Sequence, residues 1–143
     1  MIVIASDHAA LEQKKAVIDF LKSKNLAVED LGPYDTTACD YPDYAKKVGE
    51  AIGKKKANLG ILICGTGIGM SIAANKIKGI RCALCGDTFS ATQTRLHNDS
   101  NVLALGARVV GTGLMLDIVS AFVSTEFSNE DRHKVRIKKM MVL

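Results

Sequence analysis

With 143 residues, 48% hydrophobic and 24% charged, the chain has the size and composition of one soluble domain with a real core, residues 1–143. Lys and Arg outnumber Asp and Glu by 19 to 15. That mild +4 balance sits largely in Lys54-Lys55-Lys56 and the last dozen residues, and it argues against a nucleic-acid partner. No apolar run reaches the length of a membrane span, and the first residues enter a strand and then meet Asp7 and His8 rather than forming a leader, so a cytoplasmic setting is expected.

In chain order, Met1 to Ser6 reads as a short apolar strand. A helix follows from about Ala9 to Lys24, with Leu11, Val17, Ile18 and Leu21 on one face. Leu26 to Leu31 reads as a second strand, ended by Gly32-Pro33, and a polar loop containing Cys39 runs to Asp40. Asp40 is placed to cap the next helix, which opens on Tyr41-Pro42 and repeats apolar residues at Tyr44, Ala45, Val48 and Ile52. Ile61-Leu62-Ile63 is a buried strand, then come Cys64, three glycines in Gly65-Thr66-Gly67-Ile68-Gly69, and a small-residue helix around Ser71 to Ala74. Arg81 to Cys85 is a strand, Asp87 to Leu96 a helix, and His97 to Asn101 a polar loop. Val102 to Leu105 is the last strand, with Arg108 just past its end. Two helices finish the chain, Gly111 to Phe127 and a basic one from about Glu130 to Met141. Strand and helix thus alternate five times, which predicts a doubly wound, five-stranded parallel sheet in an α/β/α arrangement. Ligands of such sheets bind at the carboxyl ends of the strands. That edge should carry Asp7, His8, Cys64, Gly65, Thr66 and Arg108.

The glycine loop is the chemical centre of the sequence. Glycines allow a tight turn and close approach to a ligand, and the first amides of the following helix favour an anion. Cys64 beside a helix N-terminus is a candidate thiolate nucleophile or base. The spacing does not fit a dinucleotide fingerprint, because Met70 stands where the third glycine belongs. It lacks the Lys of a P-loop, and Met70 also occupies the place of the Arg in a C-x5-R phosphatase. Cys82 and Cys85 lie three apart on a strand, so they should face opposite ways as buried residues and neither bridge nor chelate. Three His without carboxylates at ligand spacing predict no metal site. His133, among Asp131, Arg132 and Lys134, is expected to be solvated. Arg132 and Arg136 share a helix face and could grip a phosphate together.

These residues bear a family resemblance. Ser6-Asp7-His8, Asp40-Tyr41-Pro42, ICGTGIGMSIAANK, His97-Asn98-Asp99, LALGARVVG and the Arg132/Arg136 pair together resemble ribose-5-phosphate isomerase type B, within the family that includes the galactose-6-phosphate isomerase subunits. The resemblance implies a Rossmann-like sheet, a homodimer or dimer of dimers with sites between subunits, a sugar phosphate as substrate, and neither metal nor cofactor. It implies Cys64 as the base moving a proton between C2 and C1, Gly65, Gly67, Ile68 and Gly69 as the enediolate cradle, and Thr66 as a hydrogen-bonding assistant. His97 would open the sugar ring with Asp7 in support, Asn98 and Tyr41 would touch the sugar, and His8, Arg108, Arg132 and Arg136 would hold the phosphate. The C-terminal helix would reach the partner subunit. Two places depart from the family pattern: Ala9-Ala10 where a glycine is usual, and Asn129-Glu130-Asp131 before Arg132. A six-carbon aldose phosphate is the alternative substrate, and a silent sugar-phosphate-binding protein the alternative class.

Overall fold

A computed structural model describes residues 1–143. The elements are β1 (Ile2–Ser6), α1 (Leu11–Ser23), β2 (Val28–Asp30), α2 (Tyr41–Gly53), β3 (Leu59–Cys64), α3 (Ile68–Asn75), β4 (Cys82–Leu84), α4 (Thr88–Asn98), β5 (Val102–Gly106), α5 (Thr112–Ser124) and α6 (Asp131–Met140). All strand pairs are parallel, and the order across the sheet is β2-β1-β3-β5-β4.

The three central strands are continuous apolar runs, as a parallel sheet covered on both faces requires. Their side chains divide by the two-residue period of a strand. Ile2, Ile4, Ile61, Ile63, Leu103 and Leu105 face one core, filled by Val17 and Leu21 of α1, Ala91 of α4, and Met115, Ile118, Val119 and Phe122 of α5. Val3, Ala5, Leu62, Cys64, Val102 and Ala104 face the other, filled by Ala45 and Val48 of α2 and Met70 and Ala74 of α3. The result is a three-layer, Rossmann-like α/β/α sandwich, as the sequence predicts. Burying each large aliphatic side chain contributes about 1.5–3 kcal/mol, so these two seams set the register of the sheet.

Several boundaries differ from the sequence reading. Helix α4 continues through His97 and Asn98, because Asp99 takes a left-handed turn (φ 44°) and its carboxylate meets Arg81 at 3.2 Å and Arg95 at 3.0 Å. Arg81 also donates to the Asn98 and Asp99 carbonyls, so the helix end is satisfied without stopping at Leu96. Asp40 makes no capping bond, whereas Asp87 accepts the Ser90 amide at 2.6 Å. Cys82 and Cys85 do face opposite cores, although Cys82 is only half-buried. Contrary to expectation, His133 is buried: α6 packs on α4, and that contact closes over its ring.

Candidate active site

At the carboxyl ends of β1 and β3 the chain leaves to opposite faces of the sheet, with α1 on one side and α3 on the other. A crevice opens at such a point. Here it is a cavity of about 550 Å³, the size that takes a small metabolite. Asp7, His8, Tyr41, Cys64, Gly65, Thr66, Ile68, Gly69 and Arg108 all line it. Nine side chains or loop positions singled out in the sequence therefore meet in one place.

Backbone contacts hold the floor of the cavity. The Asp7 amide donates to the Ile63 carbonyl at 2.9 Å, tying the end of β1 to β3. Ala107 and Arg108 donate to the carbonyls of Cys64 and Gly65 at 2.8 and 2.9 Å, tying the end of β5 to the glycine loop. The strands approach so closely that a Cβ on Gly106 would stand 2.6 Å from the Thr66 carbonyl oxygen. Gly67 has φ +79°, and a Cβ there would lie 2.9 Å from the Leu105 carbonyl carbon. A side chain is excluded at Gly67 both by its conformation and by its surroundings.

Cys64 is 6% exposed, at the bottom of the cavity, and its Sγ accepts the Gly67 amide at 3.1 Å. The Ile68 amide donates to the Thr66 hydroxyl at 3.3 Å. The amides of Gly65, Thr66 and Gly69 take no hydrogen bond within the chain, so the start of α3 keeps free donors beside the sulfur. Such donors are what an oxyanion needs. The Arg108 side chain runs alongside Gly65, within 3.6–3.8 Å of where a Cβ would be, and it forms no ion pair within the chain. The Tyr41 ring lies over Gly69, where a Cβ would come within 2.5 Å of it. A sulfur, free amides and an unpaired guanidinium around one cavity suit a small anion that forms an oxyanion as it reacts.

The remaining candidates lie elsewhere in the chain. Helix α4 starts at the carboxyl edge of the sheet and ends where β5 begins, so His97 and Asn98 sit toward the opposite edge. That is on the order of 15 Å from Cys64, given the five residues of β5 at about 3.3 Å each. His97 is exposed, and its ring stacks on His133 of α6, with centroids 4.3 Å apart. His133 is held by Ser128 Oγ at 2.8 Å from its Nδ1. Burial, His97 and Arg132 lower its pKa from the ordinary value, with Glu130 opposing. Arg132 and Arg136 both belong to α6, but Arg132 is paired with Glu130 at 2.8 Å. The bond to Arg132 and its charge hold the Glu130 carboxyl below the usual range.

A larger cavity of about 670 Å³ flanks the β4 edge strand and includes Arg81, Asn98, Met140 and Met141. Its one thiol, Cys82, is pushed up to about 12 by burial and by Cys85, which makes it a poor nucleophile near neutrality. The smaller cavity is where reactive groups converge. No three His, Cys, Asp or Glu side chains come together as a metal site, and no helix is long and apolar enough to cross a membrane. Sequence reasoning missed two residues. Cys39, from the loop before α2, places its amide 3.2 Å from His8 Nδ1. Ile72 of α3 forms part of the cavity rim and is 58% exposed. Neither carries a local sequence signal.

The cavity suits a small anion, and comparison with known proteins specifies the class. The family model described as Ribose/Galactose Isomerase matches residues 2–140. A Rickettsia bellii protein, described as a sugar phosphate isomerase with no particular sugar given, is 49% identical over 97% of this chain and 96% of its own. The D-erythrulose-4-phosphate isomerase of Pectobacterium atrosepticum is 47% identical over 88% of this chain and 84% of its own. The crystal structure of a ribose 5-phosphate isomerase from Thermotoga maritima superposes with a TM-score of 0.96 at 49% identity, covering 99% of this chain and 97% of that one. The chain belongs to the ribose/galactose isomerase family, and with it to the sugar phosphate isomerases.

Proposed function

We propose that the protein interconverts ribose 5-phosphate and ribulose 5-phosphate through an enediolate, in the cytoplasm and without metal or cofactor. The observation that carries this reading is the Cys64 sulfur set against the free amides of the α3 N-terminus, with Arg108 alongside. Removing the proton at C2 of an open-chain aldose phosphate requires a base at C2 and stabilisation of the oxygen that becomes anionic. Cys64, as thiolate, takes the C2 proton. The electron pair forms the C1–C2 double bond, and the charge on O1 rests on the Gly65–Gly69 amides with help from Thr66. Moving the hydroxyl proton from O2 to O1 and returning the sulfur-bound proton to C1 gives the ketose. No atoms are gained or lost. His8 and Arg108 hold the phosphate at the other end, and Asp7 and Tyr41 contact the sugar.

Ring opening needs a second acid/base group, a role an imidazole such as His97 can fill. It lies too far from Cys64 within one chain, so in this reading a second copy brings His97, Asn98, Arg132 and Arg136 to the cavity. The working form is then a homodimer or dimer of dimers, each chain a single domain whose C-terminal helix reaches its partner. Exposed Ile68 and Ile72, 52% and 58%, next to the cavity support a covered surface there. Substrate length is the open axis, because a relative at 47% identity is named for a four-carbon ketose phosphate. Six-carbon aldose phosphates remain the other alternative on that axis.

The test is proton NMR of ribose 5-phosphate with the protein in D2O, beside Cys64→Ala. Ribulose 5-phosphate carrying solvent deuterium, formed by the native protein only, supports the proposal. Full activity of Cys64→Ala would sink it. Comparison of kcat/KM over tetrose, pentose and hexose phosphates fixes the chain length, and tight binding without C2 proton exchange would indicate a binding protein.

A further inference from the structure

His8 is one of two imidazoles that the proposed reaction needs, and its surroundings differ from those of His97. The Cys39 backbone N–H points at His8 Nδ1 from 3.2 Å, and the Cys39 Sγ lies 3.6 Å from the same atom. A backbone amide can only donate. A ring nitrogen that accepts from it carries no proton, so in the neutral ring the proton sits on Nε2. Nε2 has no partner in the chain and is not a buried orphan. His8 itself is half-buried on the wall of the cavity.

We infer that the Cys39 amide fixes His8 as the Nε2–H tautomer, making His8 a hydrogen-bond donor to the ligand and excluding it as a proton acceptor. This rests on the sugar-phosphate reading for the identity of the ligand, but not for the tautomer. It separates the two histidines by role. His97 stacks on His133 and makes no hydrogen bond that would commit either ring nitrogen. His8 is committed by a main-chain contact that no substitution at position 39 except proline removes. Its Nε2–H suits an unprotonated phosphate oxygen, which accepts hydrogen bonds. Cys39 is thereby a positioning residue acting through its backbone, and its thiol is dispensable.

The polar loop before α2 thus has a defined task, which is to deliver one amide to the end of β1. The loop is anchored on its other side. Lys14, almost fully buried on α1, pairs with Asp30 at 2.8 Å and donates to the Pro33 carbonyl at 2.5 Å. The Asp30 carboxylate also accepts the Gly32 amide at 2.8 Å. The start of the loop is pinned, and its far end reaches His8.

The test is nitrogen NMR of the native protein labelled with ¹⁵N-histidine, with His8 assigned by the His8→Gln spectrum and inorganic phosphate as the probe. The expected result is an unprotonated Nδ1 and a protonated Nε2 at neutral pH, unchanged in Cys39→Ala, with Nε2 shifting as phosphate is added. Cys39→Pro, which has no amide to donate, should give a mixture of tautomers if it folds. A protonated Nδ1 in the native protein, a native mixture of tautomers, or a Nε2 indifferent to phosphate would overturn the inference. In turnover, His8→Gln keeps a donor and should raise KM less than about fivefold, whereas His8→Ala should raise it about ten- to a hundredfold with kcat nearly unchanged. A fall in kcat without a rise in KM in both variants would make His8 an acid/base group and overturn the assignment. Loss of the isomerase reading alone would appear as no turnover in the native protein, with the tautomer and the phosphate shift still measurable.

Discussion

The cavity at the ends of β1 and β3 and the corner where α4 meets α6 are built in different ways. The cavity is made by main chain. Its floor is a set of amide–carbonyl bonds between β1, β3, β5 and the glycine loop, and the Cys64 sulfur accepts a hydrogen bond from another amide. The corner is made by side chains. One imidazole lies on another, Ser128 steadies the buried ring, and Glu130 occupies Arg132. Main-chain sites are formed once the sheet is formed. Side-chain sites with a cation already paired and a ring left exposed are open to being completed by something else, which in the proposed function is a second copy of the chain.

The largest test of that contrast is Cys64→Ala. Losing the proposed general base should reduce kcat by about 10²–10⁴-fold while the protein stays folded and binds the sugar phosphate, as measured by NMR turnover and calorimetry. Next is complementation between the regions. Cys64→Ala and His97→Asn should each be nearly inactive alone, and mixed after unfolding and refolding they should recover roughly a quarter of native sites if each site draws on two chains. No recovery would place both groups in one chain's site. Third, the cavity's main-chain construction predicts that Gly67→Ala costs about 1–3 kcal/mol in urea unfolding, because φ +79° and the Leu105 carbonyl both oppose a Cβ. Gly69→Ala meets only the movable Tyr41 ring, so it should leave stability within about 1 kcal/mol and raise KM instead.

The smallest effect concerns the corner. His133 in the folded protein titrates below its ordinary 6.5, chiefly through burial and then through His97 and Arg132. The unfolded chain therefore binds this proton more readily. The stability that neutral His133 provides is complete above about pH 6.5 and is lost as pH falls below it. The urea midpoint of the native protein should drop from pH 7 to pH 5 more steeply than that of His133→Asn. Equal slopes would show that the buried ring contributes no such term.

The same division explains what could be read before the structure. The five β-α repeats and the position of the glycine loop follow from periodicity and punctuation, which are local. So does the gathering of Asp7, Cys64 and Arg108, since parallel topology places the ends of β1, β3 and β5 along one edge. The burial of His133 was not legible, because its immediate neighbours are charged and only the packing of α6 on α4 encloses it. The contact between Cys39 and His8, 31 positions apart, depends on how a loop without repeat or motif is folded back. The extension of α4 through Asn98 depends on two arginines that meet Asp99 from different elements, one of them 18 residues away.

The crowding around Gly67 and Gly106 also bears on how such a protein can change over generations. A side chain at either position would meet a carbonyl group of a neighbouring strand or loop, and a carbonyl held in a sheet cannot step aside as a side chain can. Mutation therefore has little room on the cavity floor. The mouth is different: Ala9, Tyr41, Ile68 and Ile72 project from a turn and two helices with their surfaces largely open. Divergence toward shorter or longer sugar phosphates would be recorded at the mouth, over a floor whose chemistry stays fixed.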